Sequence, residues 1–276
     1  MSSPWIFISP STRGIGFALT RHLLKTTSLP VLATARPHHD PSDVKTSLLQ
    51  GLATPNISDD ALRERLSVLH VDVTDEKTLQ AAAAKAKELF PPDTHHLRLA
   101  CAIPGILHAE KSLKQVTYDN SLESFQINTL GPLFLMKHFS AFLPKGATDL
   151  KASPSSDAVQ LPAHATWLSM AARVGSTTGN GLGGWFSYRA SKAGVISIAK
   201  TLDLYLRAGS GDKAVSVAYH PGTVKTELSR EFWDSVKKDK LFSPEFAAEK
   251  LVELVTTLQV EQRGRCWDWK GEEVPP

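Results

Sequence analysis

Trp5-Ile6-Phe7-Ile8-Ser9-Pro10-Ser11-Thr12-Arg13-Gly14-Ile15-Gly16 is a short apolar run that ends in a Gly-containing turn. Phe17-Ala18-Leu19 and Leu23-Leu24 follow at helical spacing. An apolar run, a turn and an amphipathic stretch, in that order, predict strand, loop and helix. Pro30 to Thr34 and Ser67 to Val71 are further apolar runs bounded by turn signals. Strands that alternate with helices build βαβ units and a parallel sheet. Right-handed crossovers then bring helices to both faces of that sheet.

The alternation extends along the chain. Thr78 to Phe90, Leu122 to Phe142, Tyr188 to Leu206 and Pro244 to Leu258 read as helices. Arg98 to Ile103, Ala165 to Ser169, Ala214 to Tyr219 and Arg265 to Trp269 read as strands. The expected architecture is α/β: a Rossmann-type, doubly wound, mostly parallel seven-stranded sheet in a single domain over residues 1–276. Two polar stretches, 38–65 and 145–163, interrupt the rhythm and read as surface insertions. Asp43 to Gly51 within the first is expected to be helical.

Composition excludes several classes. Hydrophobic residues are 42% and charged residues 21%, so a sizeable core can be buried. A net charge of +3 over 276 residues is too weak to argue for a nucleic-acid partner. No apolar run is long enough to span a membrane, and the N-terminus lacks the pattern of a signal peptide. Cys101 and Cys266 share no metal-ligand spacing and read as reduced thiols of a cytoplasmic protein.

The turn Ser11 to Gly16 lies between a strand and a helix, where backbone N–H groups can approach a pyrophosphate. An acidic residue that would grip a ribose 2′-hydroxyl belongs about 20 residues further on. Arg36 stands there instead, and Arg13 lies in the turn itself. Guanidinium forks match a phosphate, so the pair favours NADP(H) over NAD(H).

Tyr188 and Lys192 are four residues apart at the start of a helix and share one face. A phenol titrates near pH 10, and a neighbouring cation is expected to lower that value. Ser169 ends the preceding strand. Asn128 sits among Ile127, Leu130 and Leu133, where a buried amide needs partners.

With these residues in view, the sequence resembles the short-chain dehydrogenase/reductase family over nearly its whole length. The resemblance rests on the turn Ser11 to Gly16, Asp72-Val73, Asn128, Ser169, Tyr188 with Lys192, and His220-Pro221-Gly222-Thr223-Val224-Lys225-Thr226. Arg173-Val174-Gly175-Ser176, Gly183-Gly184-Trp185 and Tyr188-Arg189-Ala190-Ser191-Lys192 resemble the C-factor or sniffer-like branch. The resemblance implies that Tyr188 is the proton donor to a carbonyl oxygen. Lys192 would hold the nicotinamide ribose and tune Tyr188, Ser169 would bind the substrate oxygen, and Asn128 would anchor a water relay. Asp72 and Val73 would border the adenine, while Pro221, Gly222, Val224 and Thr226 would contact the carboxamide and phosphates.

Four departures from the family pattern stand out. Pro10 replaces the usual first glycine of the turn and removes a donor. Ala102-Ile103-Pro104-Gly105 replaces Asn-Asn-Ala-Gly, so its bracing must come from elsewhere. Ser169 lies six residues before Gly175, while Ala172 occupies the nearer frame. Nineteen positions separate Ser169 from Tyr188, more than the family norm.

Trp185, Phe186, Leu228, Phe232 and Trp233 would shape an apolar pocket for a ketone or aldehyde, with 223–243 as a lid. These aromatics would equally serve as core or interface packing. By family analogy, a homodimer or homotetramer would pair through the two long helices. Besides a carbonyl reductase of secondary metabolism, two other readings stand: an alcohol dehydrogenase working in the oxidative direction, and a cofactor-binding signalling protein with little turnover.

Overall fold

The computed structural model describes residues 1–55, 57–151 and 156–276. In chain order the strands and helices are β1 (Ser3–Ser9), α1 (Gly14–Thr26), β2 (Val31–Ala35), α2 (Pro41–Leu49), α3 (Asp59–Arg65) and β3 (Leu66–His70). Next come α4 (Glu76–Leu89), β4 (His95–Ala102), α5 (Tyr118–Phe125), α6 (Gly131–Phe139) and β5 (Ala165–Met170). The rest are α7 (Phe186–Ser210), β6 (Ala214–His220), β7 (Thr223–Val224), β8 (Leu241–Phe242), α8 (Pro244–Thr257), β9 (Cys266–Asp268) and β10 (Glu273–Val274).

The main sheet has eight strands in the order β10-β9-β6-β5-β4-β1-β2-β3. Seven of them run parallel, as the sequence predicts. The eighth, β10, pairs antiparallel with β9 and was not anticipated. Two residues cannot display a period, so the sequence carries no readable signal for it. β1 and β4 are neighbours although two strands intervene in sequence, so the winding reverses between them. A cleft opens beyond the carboxyl ends of strands at such a reversal.

Alternation along β1 divides the core. Ile6 and Ile8 face α1, α2 and α8, while Trp5 and Phe7 face α4, α6 and α7. Trp5 stacks on Phe90 and Phe7 on Phe139, with ring centroids 4.4 and 4.2 Å apart. Burying rings of this size dominates local packing.

The long helix expected over Leu122 to Phe142 is interrupted. Gln126–Leu130 forms a wider π-type turn between α5 and α6, and the Gly131 N–H donates back to the Gln126 carbonyl. Pro132 follows directly and has no N–H to continue the ordinary pattern. Helix α3 was also unexpected, although Ser58 caps it and Asp59 and Asp60 fill its first turn. Residue 56 of the 38–65 insertion and residues 152–155 of the 145–163 insertion lie outside the described residues. None of the described helices is long and apolar enough to cross a membrane.

Helix α7 is fixed at its far end by a buried ion pair. Asp203 accepts from Arg263 Nε at 2.8 Å and from the Ser216 backbone N–H at 3.2 Å. Arg263 also donates to the carbonyls of Gly211 and Ala214. Asp203→Ala leaves the buried Arg263 guanidinium with only the exposed Asp212 carboxylate, 3.3 Å from its Nη1, at an expected cost of about 3 kcal/mol. Urea unfolding should show a lower midpoint with an unchanged slope. An unmoved midpoint would mean that the pair does not hold α7.

Candidate functional site

The turn after β1, the segments after β4, β5 and β6, and the start of α7 enclose a cleft of about 510 Å³. Its wall includes Arg13, Gly14, Ile15, Gly16, Tyr188, Lys192, Pro221, Gly222, Val224 and Thr226, all singled out from the sequence. Trp185, Leu228 and Phe232 line it as well.

The turn is built by close approach. Gly14 has a φ of +55°, and a side chain on Gly16 would place its Cβ 1.9 Å from the Pro10 carbonyl oxygen. Only glycine permits both features. Arg13 occupies the N-cap of α1 without capping it, and no acidic side chain lies in that first turn. The first N–H groups of α1 therefore lack an anionic or side-chain partner, an arrangement suited to an anion.

Ser11 does not line the cleft. Its N–H donates to the Thr34 carbonyl and its hydroxyl to the Ile8 carbonyl, so both hold the turn to the sheet. Arg36 is exposed at the end of β2. Desolvation, then the neighbouring His38, Arg36 and Arg13, hold the His39 pKa below its ordinary value. Arg13 lines the cleft, whereas Arg36 lies outside its wall. Asp72 and Val73 also lie outside the cleft wall: Asp72 accepts from the Thr74 N–H and hydroxyl, and Val73 borders a second, smaller depression.

Tyr188 and Lys192 lie one turn apart on α7 and are both buried. Lys192 Nζ donates to the Met170 carbonyl at 2.8 Å and lies 5.9 Å from the Tyr188 ring centroid. Burial pushes the Tyr188 phenol up and the Lys192 ammonium down to about 7. The sequence-based expectation was that Lys192 would lower Tyr188. In the protein alone the direction is opposite, because both groups lose hydration and the loss outweighs their mutual effect.

Ser169 requires a correction. It is fully buried within β5, its hydroxyl has no hydrogen-bond partner among the described residues, and it is absent from the cleft wall. The wall at the end of β5 is formed by Met170, Ala171 and Ala172. β5 runs one residue further than expected, and its alternation turns Ser169 into the sheet–helix interface that holds Trp167. Ala172, in the nearer frame before Gly175, is among the residues that reach the cleft.

Asn128 stands one layer behind the wall. Its amide oxygen accepts from the Ile106 N–H at 2.8 Å, and its nitrogen donates to the Ile106 carbonyl and to Ser191 Oγ, both at 3.0 Å. These bonds brace the segment after Ala102-Ile103-Pro104-Gly105, where the family pattern relies on other asparagines. Ile103 N–H adds a 2.8 Å bond to the Ser9 carbonyl.

Sequence reasoning missed Arg173 and Glu110. Arg173 lines the cleft and pairs with buried Asp268 at 2.5 Å. Glu110 is buried and accepts from the N–H and hydroxyl of Ser187. Neither partner could be inferred, since each lies far away in sequence.

No family model matches the chain. C-signal of Myxococcus xanthus is 29% identical over 164 residues, 59% of this chain and 83% of that protein. Among solved structures, an NADPH-bound carbonyl reductase from chicken fatty liver superposes with a TM-score of 0.78 at 23% identity, covering 100% of both chains. Carbonyl reductase Sniffer of D. melanogaster gives 0.76 at 22% identity, again over 100% of both chains.

Lys192 links the cleft to stability. Its folded pKa of about 7 lies below the ordinary 10.5, so the unfolded chain binds more protons between those values. Stability therefore rises with pH across that window, and the cost of burying the ammonium is complete below about pH 7. Lys192→Met should raise Tm, most strongly below pH 7, with the gain shrinking toward pH 10. Thermal melts across pH check this, and a gain independent of pH would contradict it.

Proposed function

We propose that this chain, which has the short-chain dehydrogenase/reductase fold and resembles C-signal and Sniffer-like proteins, is an NADPH-dependent reductase of a ketone or aldehyde. The observation that carries the reading is one cleft that joins an uncapped helix N-terminus to a buried Tyr188–Lys192 pair.

The residues present fit NADP(H). Gly14 and Gly16 keep the turn open to close approach, and the first turn of α1 offers its N–H groups to a pyrophosphate. Arg13 and Arg36 would hold the 2′-phosphate. The backbone of Val224 and the side chain of Thr226 would hold the carboxamide and phosphate end, and Lys192 the ribose. When bound, the cofactor supplies the hydride.

Tyr188 supplies the proton. Burial keeps its phenol protonated at neutral pH, the state a general acid needs. Lys192, fixed by Met170, sits beside it as the group that stabilises a phenolate once the proton has left. Trp185, Leu228 and Phe232 favour an apolar substrate body and exclude water. Residues 223–243 form the lid, in which β7 pairs with β8 and Phe232 leans on Trp185 at 4.9 Å.

The protein acts in the cytoplasm, and NADPH pools there drive reduction rather than oxidation. Secondary metabolism is the proposed setting. Tyr118, Leu122, Phe125, Leu130 and Leu133 leave apolar surface on the α5–α6 side, and Leu204 and Tyr205 do so on α7. Pairing through these helices would cover it.

A second reading, a cofactor-binding signalling protein with little turnover, is favoured by Ala172, which puts a methyl group in place of a serine hydroxyl where the chain leaves β5 in the cleft wall. Ala172→Ser should raise turnover, while Ser169→Ala should leave it unchanged. The reverse pattern would restore Ser169 to the substrate oxygen.

The deciding experiment is fluorescence titration with NADPH and NADH, followed by a carbonyl screen with wild type and Tyr188→Phe. NADPH should bind roughly tenfold or more tightly, a preference lost in Arg13→Ala/Arg36→Ala. Tyr188→Phe should retain NADPH binding and lose turnover. Equal binding of the two cofactors would sink the arginine argument. Binding of NADPH with no reduction of any carbonyl by wild type would favour the signalling reading.

A further inference from the structure

Helix α7 begins in an unusual way. Its N-cap is Trp185, which has a left-handed φ of +49° and a side chain that cannot accept a hydrogen bond. A non-glycine residue in that region is strained, and something must hold it there. The first N–H groups of α7 also need acceptors that the N-cap does not provide.

Glu110 meets both needs. Its backbone carbonyl accepts from the Trp185 N–H at 2.6 Å. Its carboxylate accepts from the Ser187 N–H at 2.7 Å and from the Ser187 hydroxyl at 2.6 Å. These bonds bracket Phe186 and end on the residue directly before Tyr188. Glu110 is only 2% exposed and forms no ion pair among the described residues, so the start of α7 is what compensates its carboxylate. Ser121 Oγ lies 2.7 Å from Ser187 Oγ and ties α5 into the same knot.

The consequences reach the cleft wall at two points. Trp185 leans on Phe232 at 4.9 Å and meets the Tyr188 ring edge-on at 6.2 Å. Whatever fixes Trp185 therefore fixes the contact between α7 and the 223–243 segment. Whatever fixes Ser187 fixes the helical phase of Tyr188.

We propose that Glu110 is a positioning residue: by capping α7 through Ser187 and holding Trp185 in its left-handed turn, it sets Tyr188 against Lys192 and the substrate wall. The proposal rests on the reductase reading for its kinetic part and on geometry alone for its structural part.

The test pairs hydrogen exchange with kinetics in Glu110→Ala, Glu110→Gln, Ser187→Ala and the Glu110→Ala/Ser187→Ala double variant. Exchange in peptides covering 185–189 should rise about tenfold in Glu110→Ala, while peptides from β1 and β4 stay unchanged. With NADPH and a reducible carbonyl, kcat should fall about tenfold or more. NADPH affinity and the carbonyl KM should stay within about twofold, with kcat counted per NADPH-binding site so that unfolded protein does not enter it. Glu110→Gln should fall between, since its amide oxygen can still accept one of the two Ser187 donors. The double variant should be no worse than Glu110→Ala, because Glu110 acts through Ser187.

Unchanged exchange at 185–189 would overturn the proposal. So would faster exchange with unaltered kcat, or a loss of NADPH affinity that parallels the loss of kcat. A wild-type protein that reduces no carbonyl would count against the reductase reading instead, and the exchange measurement would still decide whether Glu110 holds the start of α7.

Discussion

A single hydrogen bond fixes the relation between the sheet and the chemistry: Lys192 Nζ to the Met170 carbonyl, at 2.8 Å. Met170 ends β5, and Lys192 lies in the second turn of α7. The bond joins the strand that forms one wall of the cleft to the helix that carries Tyr188. It is also costly, since an ammonium with one backbone partner gives up most of its hydration. The same loss of hydration pushes the Lys192 ammonium down to about 7. A chain selected only for stability would place methionine or leucine there, so the buried lysine is better explained by what it does beside the phenol.

The same logic runs through the bracing of the cleft. Three buried polar side chains cross between distant segments: Asn128 to Ile106, Glu110 to Ser187, and Asp203 to Arg263. Each pins a different part of the frame, namely the segment after β4, the start of α7 and the end of α7. The apolar layers set the spacing of sheet and helices, but dispersion contacts have little directional preference. Hydrogen-bonded groups in a dry interior do have direction, and leaving one unmatched is expensive. They specify the rotation of α7 about its axis, which the oily contacts alone leave loose.

The sequence announced the frame because a parallel sheet with helices on both faces imposes a rhythm, and β1, α1 and β2 display it within their first residues. It announced Tyr188 and Lys192 because a helix puts residues four apart on one face. It could not announce β10, which has two residues, or the wide turn at 126–130, where a local hydrogen-bond shift leaves the apolar pattern nearly intact. Ser169 shows a different limit. Chain position suggested a strand end, but β5 continues to Met170, so Ser169 stays inside the strand on the face of Trp167 and the chain turns to the cleft only after it. Arg173 and Glu110 were silent for a third reason: their partners Asp268 and Ser187 meet them only through the tertiary fold.

The departures from the family pattern now have a common physical sense. Replacing paired asparagines with Ala102-Ile103-Pro104 removes side chains that could brace the segment from within. Proline limits the backbone of that segment, but it contributes no donor. The compensation comes from outside, through the two-point grip of Asn128 on Ile106 and through Glu110 further along. Among the described residues, Asn128 and the start of α7 hold this segment from outside the strand end. In such an arrangement the cleft wall and the start of α7 cannot shift independently, because the segment from Ile103 to Glu110 is tied to both. The 223–243 segment meets this unit from the other side of the cleft, through the ring contact between Phe232 and Trp185 and through Leu228, which lies beside Gly105.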